Sequence, residues 1–184
     1  MPQPREFLQT IEKLTIQIGK SKSKEDLSHA KNTMYWIKQL RPDADDLLLI
    51  AGFGHDVERS LPDRYRHTDF PEYDDYKRAH ATRSGQVVSD MMKQSGYSLN
   101  DSVRVAQIIS EGEFDSEDPD IQLLCDADSI SFFDNNLSYY LKEKGEADTR
   151  KKITFMYDRS SERAQKYIGD ILADRPELNL QNVI

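Results

Sequence analysis

The chain has 184 residues, with 25 basic and 33 acidic side chains, a net charge of −8 and a hydrophobic fraction of 37%. That length suits one domain with a core of its own, and the acidic balance excludes a general nucleic-acid binder, whose footprint is a net basic face. A single cysteine, Cys125, excludes an intrachain disulfide framework; no stretch has signal-peptide or membrane-spanning character, so a cytoplasmic protein without membrane partners is expected.

Helical periodicity dominates from the start. Phe7, Leu8, Ile11 and Leu14 follow one helix face, predicting a helix over about 4–20. Ser23 is a candidate cap for a second helix ending near Leu40, with Leu27, Ala30, Met34 and Ile37 inward. Pro42 and Asp43 open a third, in which Leu47–Ala51 is apolar on every side, the mark of a buried central helix. A polar loop with Pro62 and Pro71 follows. Further helices are predicted over about 73–94, from about 100, over about 121–133, 135–143 and 149–159, and from Ser160 or Ser161 onward. No stretch alternates like a strand. The expected architecture is an all-α, single-domain bundle, with a core of about 23–134 and a helical segment of about 135–184.

The chemistry begins with an anomaly: His55 and Asp56 close the most apolar helix of the chain. A buried acid or imidazole has to be paired, hydrogen-bonded or bound to metal, because desolvating an unpaired charge is costly. The pair alone is a weak signal, equally produced by a helix-terminal histidine beside a surface aspartate. His29, between Leu27 and Ala30, reads by itself as a hydrogen-bonded core histidine. Asp126 and Asp128 interrupt an apolar helix; two residues apart, they point roughly 200° from each other, so both cannot face one ion.

A histidine, then His-Asp at the end of an apolar helix, then a late aspartate resembles the HD superfamily of metal-dependent phosphohydrolases, over His29 to Phe133. The stretch from Asp126 to Asp134 (DADSISFFD) is similar to the final HD motif, whose second aspartate is the ligand. The resemblance therefore implies metal ligation by His29, His55, Asp56 and Asp128, with Asp126 a structural partner, and an HD-type helical bundle. The run from Thr149 to Ala164 is similar to a segment of an uncharacterised HD-like subgroup. Two imidazoles and two carboxylates suit one divalent ion such as Mn, Fe, Co, Ni or Zn. Such an ion activates a water and polarises a phosphoryl oxygen, so the expected activity is hydrolysis of a small phosphorylated metabolite or nucleotide. The alternative is an HD-like module that keeps the ion and binds a nucleotide or partner without turnover.

His80 is similar to a histidine that many HD proteins use for a second metal, and is expected either to contact substrate or act as a general acid, with Asp56 as its catalytic companion, or to be structural. The further histidine of those proteins is missing; Ser110, Glu111 and Gly112 stand in its place. Glu111 reads as an exposed helix-end residue, and a single ion is expected. His67 reads as exposed. Arg59 and Arg64, nearest the His-Asp pair among the following cations, are candidate phosphate contacts. From Arg150 to Lys166 six basic residues stand against two acidic ones. Lys152, Met156, Arg159 and Arg163 share a face if one helix continues, which makes Arg159 and Arg163 candidates for gripping substrate phosphate; a break near Ser160 would separate them. The competing reading has them pairing with the acidic body.

Overall fold

The computed structural model describes residues 4–175, and among these it contains eight α-helices and no strand. In chain order they are α1 (Arg5–Ile18), α2 (Glu25–Leu40), α3 (Asp46–Gly54), α4 (Tyr73–Ser95), α5 (Leu99–Glu111), α6 (Pro119–Ser131), α7 (Leu137–Asp158) and α8 (Glu162–Ala173). The expected all-α bundle is what forms. Residues 176–184, the end of the expected C-terminal segment, lie outside the described residues.

Helix α3 is the axis of the molecule. Leu48 through Gly54 are all buried, and the helix is surrounded by α1, α2, α4, α5 and α6. It opens three residues later than Pro42–Asp43 predicts, because Asp45 provides the cap: its carboxylate accepts the Leu48 N–H at 3.0 Å. A side-chain cap satisfies a donor that the first helical turn leaves free. Ser98, Asp118 and Ser161 do the same for α5, α6 and α8. The polar loop after α3 holds two short 3-10 turns, Val57–Ser60 and His67–Asp69.

The passage from α6 to α7 is a π-turn, Phe132–Asn136. Here Asp134 accepts hydrogen bonds from Asn32 Nδ2 at 2.9 Å and Trp36 Nε1 at 3.1 Å, tying α2 against the end of α6. As the sequence predicts with separate helices over 135–143 and 149–159, α7 consists of two helical segments, which meet in a kink at Gly145, whose φ of 77° is non-helical. Ser160 and Ser161 then break the chain before α8.

Helices α4 and α5 approach most closely at Gly85, where an added Cβ would lie 2.6 Å from the Ala106 carbonyl oxygen and 2.9 Å from Ser110 Oγ. A backbone atom cannot rotate away, so Gly85→Ala is expected to lower stability by about 1–3 kcal/mol in chemical denaturation. Gly169, within α8, has nothing within 4 Å of such a Cβ. Gly169→Ala is expected to move the midpoint the other way, by up to about 1 kcal/mol of helix propensity.

Candidate metal centre

His55 and Asp56 occupy the point where α3 gives way to the 3-10 turn. The change of helix type matters. Consecutive residues of a regular helix point about 100° apart, yet His55 Nε2 and Asp56 Oδ2 lie only 3.5 Å from each other. His55 Nδ1 lies 2.8 Å from the Gly52 carbonyl, which only accepts, so Nδ1 carries a proton and Nε2 is the nitrogen left for a ligand. His55 Nε2 is buried and has no hydrogen-bond partner. It faces Asp128 Oδ1 at 3.3 Å and Asp56 Oδ2 at 3.5 Å.

His29 arrives from α2 and Asp128 from α6, the two helices that the Asp134 bonds hold together. His29 Nε2 is 2.8 Å from Asp128 Oδ1 and 3.7 Å from Asp56 Oδ2, while its Nδ1 lies 2.9 Å from Ser131 Oγ. Each of the two imidazole Nε2 atoms thus faces one oxygen of Asp56 and one of Asp128, and each residue is at most 9% exposed. His29, His55 and Asp128 form a buried group that could hold a metal ion. The aspartate two residues earlier turns away. Asp126 accepts from Gln122 Nε2 at 2.8 Å, Ser161 N at 2.9 Å and Ser161 Oγ at 2.6 Å, fastening α8 to α6.

The electrostatics of this point demand positive charge. Burial by itself lowers the basicity of His55, but the Asp56 and Asp128 carboxylates outweigh it and raise the imidazole to about 9. Burial likewise opposes ionisation of Asp56 and Asp128. Arg59 and His55 overcome it at Asp56, Arg159 and His55 at Asp128, and both acids stay well below the usual carboxylate range. A divalent cation between these groups would displace the Nε2 proton of His55 and meet both carboxylates together.

Asp56 itself belongs to a second buried group, with His80 and Glu113, and its Oδ2 lies beside the first, 3.5 Å from His55 Nε2 and 3.7 Å from His29 Nε2. His80 Nε2 lies 2.8 Å from Asp56 Oδ1, and Nδ1 lies 2.8 Å from Glu58 Oε2. Against the opposing effect of burial, these two carboxylates raise the His80 pKa, so an imidazolium donating to both is the favoured form. Glu113 is held by Lys77 Nζ at 2.5 Å and Arg159 NH1 at 3.2 Å. Cations of the chain itself neutralise this second group.

The predicted phosphate contacts divide. Arg59 reaches Asp56 Oδ2 at 2.8 Å and stands at the rim of the centre, a third exposed. Arg64 lies on the same loop, beside a cavity that Arg59 also lines. Arg159 is not free to grip substrate. It is 6% exposed, and its guanidinium bonds Ser129 Oγ, the Glu113 carbonyl and carboxylate, and Asp128 Oδ2. It positions the Asp128 carboxylate from behind. Arg163 lies beyond the break at Ser161, exposed on α8, away from Arg159's partners. Lys152 remains on the inner side of α7, 5.2 Å above the Phe155 ring, and burial together with Lys77 and Arg159 pulls its amine down to about 7. His67 and Glu111 are exposed, as expected.

Sequence reasoning missed Glu58, Lys77 and Glu113. Each stands in a charge-rich stretch where a solvated face is the ordinary reading; Glu58's place two residues after Asp56 was the one available signal. Because Arg159 neutralises Asp128 and Glu113 in a buried setting, Arg159→Ala is expected to destabilise the fold by about 3–5 kcal/mol. Thermal or denaturant unfolding checks this. A variant with wild-type stability would show that the guanidinium is dispensable to the fold.

A family model described as a domain of unknown function (DUF4202) matches residues 11–180. No curated protein and no solved structure gives a significant match. With a match over most of its length, the chain belongs to the DUF4202 family.

Proposed function

We propose that this protein is a metal-dependent phosphohydrolase of HD type acting on a small phosphorylated metabolite or nucleotide. The observation that carries the reading is that His29 Nε2 and His55 Nε2 each face Asp56 Oδ2 and Asp128 Oδ1, with His55 Nε2 buried and without a hydrogen-bond partner. Two neutral imidazoles and two carboxylates match one first-row divalent ion of the Mn, Fe, Co, Ni or Zn kind. When bound, such an ion supplies a water activated near neutral pH and a Lewis acid for a phosphoryl oxygen.

The chain's own groups prepare that chemistry. Gly52 and Ser131 orient the two imidazoles, which sharpens ligand geometry. Arg159 holds the outer oxygen of Asp128. Arg59, partly exposed beside Asp56, is the cation best placed to meet an incoming phosphate, and a guanidinium fork suits phosphate oxygens. His80 is 1% exposed and enclosed by Asp56 and Glu58, so its part is to position Asp56 rather than to touch substrate.

The rival is a module that retains the ion and binds a nucleotide or partner without turnover. One feature favours it: Glu113, a carboxylate placed for a second ion, is occupied by Lys77 and Arg159. The discriminating experiment is a screen of nucleotides and sugar phosphates with Mn, Co, Ni or Mg supplied in turn. Under the proposal, wild-type protein releases phosphate from at least one compound, and His55→Ala falls to the no-enzyme background. Saturable binding of a phosphorylated compound, with no release under any metal, would instead establish the rival.

A further inference from the structure

The loop after the centre and the end of α1 enclose a cavity of about 460 Å³ with five cationic side chains: Lys20, Lys22, Arg59, Arg64 and Arg66. Gln17, Ser60, Leu61 and Pro62 complete the wall, which contains no carboxylate and no aromatic ring. In a chain of net charge −8, five cations without an acid at one concavity are a pronounced local excess. Among the described residues only Arg59 of the five has carboxylate partners, Asp56 at 2.8 Å and Asp26 at 3.9 Å. Lys20 donates to the neutral Gln17 Oε1 at 3.2 Å, and Lys22, Arg64 and Arg66 make no ion pair. Like charges gathered in this way repel one another, and a bound polyanion removes the repulsion while a cleft of one sign concentrates it.

We infer that this groove binds the linked phosphates of a small polyphosphorylated ligand. Three features select that class. Five cations exceed what one phosphate can engage. The volume falls in the range of small-ligand pockets rather than of an extended nucleic-acid track. The wall offers no aromatic ring for a base to stack on, and its cations suit the phosphate chain. Arg59 belongs both to this wall and to the metal centre, where it bonds Asp56. A ligand lying along the groove thus presents one phosphate at the Asp56 side of Arg59 and keeps the others among Lys20, Lys22, Arg64 and Arg66. This last assignment, non-reacting phosphates of a substrate in the groove, rests on the phosphohydrolase reading; the groove's capacity to bind polyphosphate does not.

The test uses inorganic triphosphate, with inorganic phosphate for comparison, titrated calorimetrically into the full chain after chelator treatment and again into His55→Ala. The expected result is binding of triphosphate to both at least about tenfold tighter than phosphate, weakening as salt is raised. The double variant K20Q/K22Q, on exposed positions, is expected to weaken triphosphate about tenfold or more through loss of charge-assisted bonds, with its melting temperature unchanged. The inference is overturned if triphosphate binds no better than phosphate, if K20Q/K22Q binds it as wild type does, or if an oligonucleotide displaces it from the groove at lower concentration. Triphosphate binding without hydrolysis of any compound would sustain the groove and sink the phosphohydrolase. Hydrolysis of a monophosphate that triphosphate neither inhibits nor competes with would sustain the phosphohydrolase and overturn the assignment of the groove to its substrate.

Discussion

Two buried carboxylates, those of Asp56 and Asp128, set the terms on which the rest of this molecule is built. An ionised acid removed from water has to find compensation at each oxygen, and the fold supplies it from four directions. His80 meets Asp56 Oδ1 and Arg59 meets Asp56 Oδ2; His29 meets Asp128 Oδ1 and Arg159 meets Asp128 Oδ2. These partners come from α4, the loop after α3, α2 and the end of α7. The apolar axis of α3 is what places Asp56 at the centre, and the Asp134 clamp on Asn32 and Trp36 is what brings α2 and α6 into register around it. After that compensation, His55 Nε2 still faces two carboxylate oxygens without a hydrogen-bond partner, and this is the position that a cation could take.

Around the centre lies a shell in which acids and bases alternate. Glu58, His80 and Asp56 form one chain of hydrogen bonds, and Lys77, Glu113, Arg159 and Asp128 form another. Each chain ends on one of the two aspartates that face His55. Such networks are costly to break, since removal of one member leaves a buried charge behind. They also account physically for an expected single ion. The place a second ion would take beside Asp56 is already neutralised by an imidazolium, an ammonium and a guanidinium, and a second dication would have to displace those contacts.

The fold was legible because each helix carries its own apolar face, and α3 an apolar surface all round. Helix ends were less so: Pro42–Asp43 looked like a start, while the Asp45 carboxylate provides the actual cap. His29, His55, Asp56 and Asp128 were visible since each interrupts an apolar run, where a polar residue needs a reason. The choice of Asp128 over Asp126 came from the HD resemblance, and the bonds of Asp126 to Gln122 and Ser161 give it a structural occupation. Glu58, Lys77 and Glu113 were hidden, because charged residues in polar stretches look solvated until tertiary packing buries them. For Arg159 the phosphate-gripping reading gives way to the competing one, pairing with acidic residues of the body: the break at Ser161 sets Arg163 on exposed α8 and leaves Arg159 beneath Asp128.

The central claim, that His29, His55, Asp56 and Asp128 hold one divalent ion, is tested most directly by elemental analysis of the purified protein after reconstitution with Mn, Fe, Co, Ni or Zn. The account predicts close to one ion per chain in the wild type and in Asp126→Ala, and loss of the ion in His55→Ala and Asp128→Ala. A wild-type protein that retains no metal after reconstitution, or an ion kept by Asp128→Ala and lost by Asp126→Ala, would contradict it.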